Sequence, residues 1–245
     1  EFKRIALVTK EIINSINFDT NIVKETLNIN LLDWGGGLGH IFNITKNIIE
    51  STNNIKINCN YYDPLVKNNK NNLLNKKYDY ILISHVLEHV HNPIEVLENC
   101  YKLLKPKGII VIEVPNDYNP LQKIVQNTLK KEEYWLTILT KSRNYHWASK
   151  MDHLNYFNFQ SLNRLLKRLG FKIIYQQSTF PLELFLLMGD DYLKSEKIGK
   201  RIHQKRMNLE KRLLSQKNQH LKKELYERFA EIGIGRTAVI YAQKT

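Results

Sequence analysis

Nine residues constrain this chain more than any others: Leu31-Leu32-Asp33-Trp34-Gly35-Gly36-Gly37-Leu38-Gly39. An apolar strand runs into a glycine-rich turn, and Ile41, Ile44, Ile48 and Ile49 follow at helical spacing. Glycine there lets the backbone approach a ligand and adopt angles that a Cβ forbids. The helix that opens next offers N–H groups and a partial positive charge to a carboxylate or phosphate. Asp63 ends the next apolar segment, Ile55–Tyr62, and is placed to accept hydrogen bonds from ribose hydroxyls. The pair predicts a nucleoside-containing cofactor at the carboxyl edge of a parallel sheet. Position 40 is His40, so the G-x-G-x-x-G dinucleotide fingerprint is broken, and no G-x-x-x-x-G-K-[ST] is present.

The rest of the chain supports a doubly wound α/β sheet. Tyr78–Ser84 and Ile109–Val114 are nearly all apolar, as in strands buried on both faces. Between them Asn92-Pro93 starts a helix running to Leu104, with Asn as cap and Pro in the first turn. Lys105-Pro106-Lys107-Gly108 reads as a turn. Ser161–Leu169 reads as a helix closed by Gly170, Phe171–Tyr175 opens a strand, and Arg236–Gln243 closes the chain as another. The expected organisation is N-terminal helices over 1–28 and a core over 29–189 with a lid at about 117–158. A basic helical insertion over 190–229 and a last strand in 230–245 complete it. The insertion reads as one long helix or a helical hairpin, and Asp190-Asp191 as a helix cap.

Four segments in order carry a resemblance. Leu32–Gly39 resembles motif I of class I S-adenosylmethionine-dependent methyltransferases, and Asp63 matches their ribose-binding acid. Tyr78–Val90 resembles their fourth-strand motif, and Leu103–Gly108 the turn before strand five. The resemblance implies a Rossmann-like sheet with a final antiparallel strand, S-adenosyl-L-methionine as cofactor and S-adenosylhomocysteine as product. It implies cofactor contacts from Asp33, Gly35, Gly36, Gly37, Gly39, Asp63, Pro64, Ser84, His85 and Val86. One departure stands out. Only fourteen residues separate Asp63 from Tyr78, so the family's strand three is shortened or absent.

The end of the Tyr78 strand carries His85-Val86-Leu87-Glu88-His89. Methyl transfer from a sulfonium is an in-line displacement in which the protein aligns the acceptor and excludes water. A hydroxyl acceptor must also lose a proton, and histidine is the usual base near neutral pH. His89, His85 and His153 are candidate bases, with Glu88 beside them. His-x-x-Glu-His is also an inverted zinc-protease pattern, but that pattern needs a helix. In quinone-precursor O-methyltransferases a similar E-x-x-E-H segment is implicated in divalent-ion binding. Here His85 replaces the first acid, so a metal stays an open alternative.

Asp152–Phe157 and Phe180–Phe185 resemble segments near the active site of bacterial surface-polysaccharide methyltransferases, and His146 and Trp147 are further acceptor-facing candidates. That resemblance implies O-methylation of a sugar, nucleotide-linked or phosphoryl-type capsule precursor. Net charge is +13 over 245 residues, and residues 194–223 hold eleven Lys or Arg against Glu196 and Glu210. This stretch fits a solvated or dimer-forming helix, a site recruiting an anionic acceptor, or a nucleic-acid or anionic membrane surface. An RNA or DNA methyltransferase and a non-catalytic nucleoside-binding protein are the rival readings. Two cysteines far apart and no visible signal segment point to a reducing cytoplasm. No apolar run approaches the roughly 18–20 residues of a spanning helix.

Overall fold

The computed structural model describes residues 27–35, 55–63, 73, 75–129, 153–193, 195–213 and 219–245. The expected N-terminal helices lie outside them, as do Gly36, Gly37, Gly39, Pro64, His146, Trp147 and Asp152.

The strands are β1 (Leu27–Trp34), β2 (Ile55–Tyr62), β3 (Tyr78–Ser84), β4 (Leu104–Pro115), β5 (Phe171–Ser178) and β6 (Thr237–Lys244). Among the described residues the helices are α1 (Pro93–Leu103), α2 (Pro120–Leu129), α3 (Phe159–Arg168), α4 (Glu183–Leu187), α5 (Glu196–Leu213) and α6 (Gln219–Glu231). Six strands form one sheet in the order β2-β1-β3-β4-β6-β5. β2, β1, β3 and β4 are parallel, and β6 is antiparallel to both β4 and β5. This is the doubly wound sheet with a final antiparallel strand that the sequence implies. Among the described residues no strand lies between β2 and β3, as the short spacing after Asp63 suggests.

The apolar runs fill both faces of the sheet. Leu32, Ile81, Ile83, Ile110, Ile112 and Ile240 pack on one side against Leu97 and Cys100 of α1 and Leu162 and Leu166 of α3. Leu31, Leu82, Val111, Val239 and Tyr241 alternate onto the other. Asn92 caps α1 through a bond from the Glu95 N–H (3.2 Å), as its Asn-Pro start predicts. Asn158 and Ser161 form a reciprocal capping box on α3. The expected turn at Lys105–Gly108 is absorbed into β4 as an irregular start: Lys107 has φ +63°, and the pairing slips between Tyr78 and Tyr80.

Three local expectations are refined. Residues 120–129 of the expected lid are helix α2. The basic stretch is the hairpin alternative, α5 and α6. Asp190 does not cap α5. It pairs with Arg201 (2.6 Å) and Lys205 (2.9 Å), while Ser195 Oγ accepts from Ile198 N–H at the helix start. Phe180 and Phe185 pack with Ile202 and Tyr226 in a small separate core, so they anchor the insertion onto the domain.

Candidate active site

The carboxyl ends of β1, β2, β3 and β4 meet along one edge. At its β1–β2 side, Gly35 N–H donates to Tyr62 O (2.6 Å), and the Trp34 and Tyr62 rings stack edge-to-face at 4.6 Å. Gly35 has φ +84°, and a Cβ there would collide with the Val86 side chain. The first glycine therefore lets the β1 turn close on the loop after β3. Asp33 is 1 % exposed, and its Oδ2 has no hydrogen-bond partner among the described residues. Burial, and then the negative charge of Asp63, push its carboxyl up to about 7. A buried, unpartnered acid beside a left-handed glycine is a cradle for a group that donates hydrogen bonds.

The β3–β4 side is polar and strained. His85 and Tyr118, just past the ends of β3 and β4, both have φ +53°, a conformation that costs a non-glycine residue roughly 1–2 kcal/mol. His85 N–H donates to Glu113 O (2.9 Å), and Ser84 Oγ donates to Glu113 Oε2 (2.9 Å). His85 Nδ1 lies 3.0 Å from Glu88 Oε1, and His89 Nε2 lies 4.0 Å from the same oxygen. Glu88 is 1 % exposed, with Oε2 unpartnered among the described residues.

The segment expected to face the acceptor bridges these two strand ends. Leu154 and Asn155 N–H donate to Glu88 O (2.7 and 3.1 Å), and Asn155 Nδ2 donates to Leu87 O and Val90 O. His153 thereby stacks edge-to-face on His89, with ring centroids 4.8 Å apart. Asp117 N–H donates to Phe157 O (2.6 Å), and the Tyr118 and Tyr156 rings are 5.9 Å apart. All four candidate catalytic residues, His85, Glu88, His89 and His153, thus share one edge with Asp33, Asp63, Ser84 and Val86. Ligand atoms of Glu88, His89 and His153 lie within 4.8 Å of one another, close enough to converge on a metal ion.

Two acids at this edge escape the sequence reading. Glu113 is fully buried and holds Ser84 and the His85 backbone. Its signal is a single acid inside the run Ile109–Val114. Asp117 is pushed up to about 7 by burial. The positive charge of Arg236 opposes the shift and the charge of Glu88 adds to it. Its role has no local sequence signal, because Arg236 lies more than a hundred residues away.

Residues 16–176 match the methyltransferase domain family. The chain belongs to that family. Two Rickettsia bellii proteins named ubiquinone biosynthesis O-methyltransferase are 29% identical over 135 residues, covering 55% of this chain and 47% of theirs. The chain thus spans about half the length of these curated relatives. A SAM-dependent methyltransferase from Archaeoglobus fulgidus superposes with a TM-score of 0.43 at 18% identity, covering 96% of this chain and 94% of that one. A cyclopropane synthase from Mycobacterium tuberculosis superposes with a TM-score of 0.45 at 12% identity, covering 95% and 84%.

The cofactor of this methyltransferase class is S-adenosylmethionine, and the edge fits it. By their chemistry, buried Asp33 suits a hydrogen-bond donor such as the methionine ammonium, and Asp63 suits donors such as the ribose hydroxyls. The orphaned Asp33 Oδ2 is the observation that carries this fit.

Proposed function

We propose that the protein transfers the methyl group of S-adenosylmethionine to a hydroxyl oxygen of a small acceptor, with the histidine cluster after β3 taking the proton. The observation that carries this reading is the 3.0 Å contact between His85 Nδ1 and buried Glu88, at the same edge as the cofactor cradle. The cofactor supplies an electrophilic methyl on a sulfonium. Asp33, Gly35, Asp63, Ser84, His85 and Val86 would hold it, together with Gly36, Gly37, Gly39 and Pro64 on the motif resemblance. Glu88 keeps the proton of His85 on Nδ1 and stabilises the imidazolium that forms, so Nε2 is the basic nitrogen. His89 and His153 are the neighbouring candidates for the same step. The Asn155 clamp sets the distance between the acceptor-facing segment and the base loop, which is where positioning contributes most to an in-line displacement.

Oxygen as the receiving atom is supported by the O-methyltransferase relatives. A sugar, nucleotide-linked or phosphoryl-type capsule precursor as acceptor rests on the resemblance of Asp152–Phe157 and Phe180–Phe185. We place the reaction in the cytoplasm on the cysteine usage. The test is calorimetric titration with S-adenosylmethionine, S-adenosylhomocysteine and NAD. Release of S-adenosylhomocysteine is then measured with nucleotide-sugars and ubiquinone precursors as acceptors. Micromolar binding of the first two and none of NAD is expected. Binding of neither would leave the non-catalytic reading standing.

The convergence of Glu88, His89 and His153 favours a second reading, in which a divalent ion orients the acceptor oxygen. Activity that survives exhaustive chelation excludes it.

A further inference from the structure

The basic hairpin presents a surface that methyl transfer leaves unexplained. α5 carries seven Lys or Arg against Glu196 and Glu210. It buries Ile202 in the small core with Phe180, Phe185 and Tyr226, and turns Lys197, Lys200, Arg201, Lys205, Lys211 and Arg212 to solvent. Part of that charge is compensated. Glu196 pairs with Lys200 at 2.7 Å, and Asp190 pairs with Arg201 and Lys205. Among the described residues no ion pair compensates Lys197, Lys211 or Arg212.

The Asp190 pairs also settle what lies beside this face. Asp190 follows the turn Leu187-Met188-Gly189, so the turn is held against the Arg201–Lys205 flank. Met188 is 68% exposed and Leu187 36%. Leu209 and Arg212 extend that flank at helical spacing, and exposed Met207 lies farther round. Apolar side chains therefore stand among ammonium and guanidinium groups on a convex helical surface. α5 has no Phe, Tyr or Trp on which a nucleic-acid base could stack. A small anion is better held in a concavity of convergent donors than on such a ridge. A flat, multivalent anionic surface with an apolar layer beneath it matches both features.

We infer that the outer face of α5 and the Leu187–Gly189 turn dock the protein on an anionic lipid bilayer. Phosphate headgroups meet Lys197, Lys211 and Arg212, and Met188 enters the boundary beside them. The test is co-sedimentation of the full chain with vesicles of phosphatidylcholine alone or of equimolar phosphatidylcholine and phosphatidylglycerol. Binding to the anionic vesicles only, weakened by salt, is expected. The triple variant Lys197→Gln, Lys211→Gln, Arg212→Gln should lower the partition coefficient roughly 100-fold, at about fivefold per basic residue. Met188→Asp should lower it about tenfold while leaving the salt dependence in place. Circular dichroism and melting temperature should match the parent for both variants. Equal binding to the two vesicle types, or vesicle binding unchanged in the triple variant, overturns the inference. Tight polyuridine RNA binding that the triple variant abolishes, without vesicle binding by the parent, overturns it in favour of nucleic acid.

Discussion

The two edges of the sheet treat their polar groups in opposite ways. At the edge where the parallel strands begin, every charged group named here is satisfied. Asp79 takes Lys105 Nζ at 2.8 Å and the Asn30 N–H at 2.9 Å. Lys77 donates to Lys102 O, and Lys244 donates to Tyr101 O and Leu104 O. At the edge where they end, buried Asp33 and Glu88 and half-buried Asp117 each leave an oxygen without a hydrogen-bond partner among the described residues, and two non-glycine residues sit in the left-handed region. Burying a polar group unpaired costs about 1–3 kcal/mol. At this edge a ligand that donates hydrogen bonds can relieve that cost.

The largest effect that would break this comparison is on turnover. Glu88→Gln should lower S-adenosylhomocysteine formation roughly 100- to 1,000-fold, and His85→Gln by a similar factor, because the two act as a unit. A loss below about threefold in both, with cofactor affinity intact, would move the base elsewhere. Next comes Gly35→Ala. It places a Cβ against Val86 at φ +84° and should destabilise the protein by roughly 2–4 kcal/mol in urea unfolding. A loss under about 0.5 kcal/mol would show that the β1 turn is not closed on the β3 loop.

A smaller effect has a distinctive sign. The folded Asp33 carboxyl titrates at about 7 against an ordinary 3.8. Ionisation therefore opposes folding: the contribution is fully present below the ordinary value and is lost as pH rises through about 7. Asp33→Asn should raise the stability of the ligand-free protein by about 1–3 kcal/mol at pH 8, with little change at pH 4. On the proposed role of Asp33 in holding the cofactor's ammonium, it should also remove a rise in S-adenosylmethionine affinity between pH 6 and 8. The smallest effect belongs to the opposite edge. Lys105→Ala breaks a half-exposed pair and should cost less than about 1 kcal/mol, with turnover unchanged. A comparable loss of turnover there would erase the distinction between the edges.

Much of the molecule was legible in one dimension because its signals are local. Asn92-Pro93 announces α1, and the nearly continuous apolar run of Tyr78–Ser84 announces a doubly buried strand. Gly170, at φ +86°, marks the end of α3 as its position after a helical pattern suggests. The residues that proved hardest to read act through distant partners. Asp117 matters because of Arg236 and Phe157, and Asn155 because it clamps Leu87 and Val90. Phe180 and Phe185 sit in a segment that resembles an active-site stretch, yet they pack under the insertion.

The sequence by itself determined β1 and its glycine turn at Gly35, the acids at positions 33 and 63, the histidines after β3 and the short spacing between Asp63 and β3. These depend on backbone propensity, side-chain period and spacing, all of which are short-range. Only the tertiary structure decided which of those groups meet. Parallel pairing brings the ends of β1, β3 and β4 to one edge, and the 153–157 segment carries His153 onto His89 from more than sixty residues away. Burial then lifts the carboxyls of Asp33 and Asp117, a shift that depends on surrounding atoms rather than on neighbours in the chain.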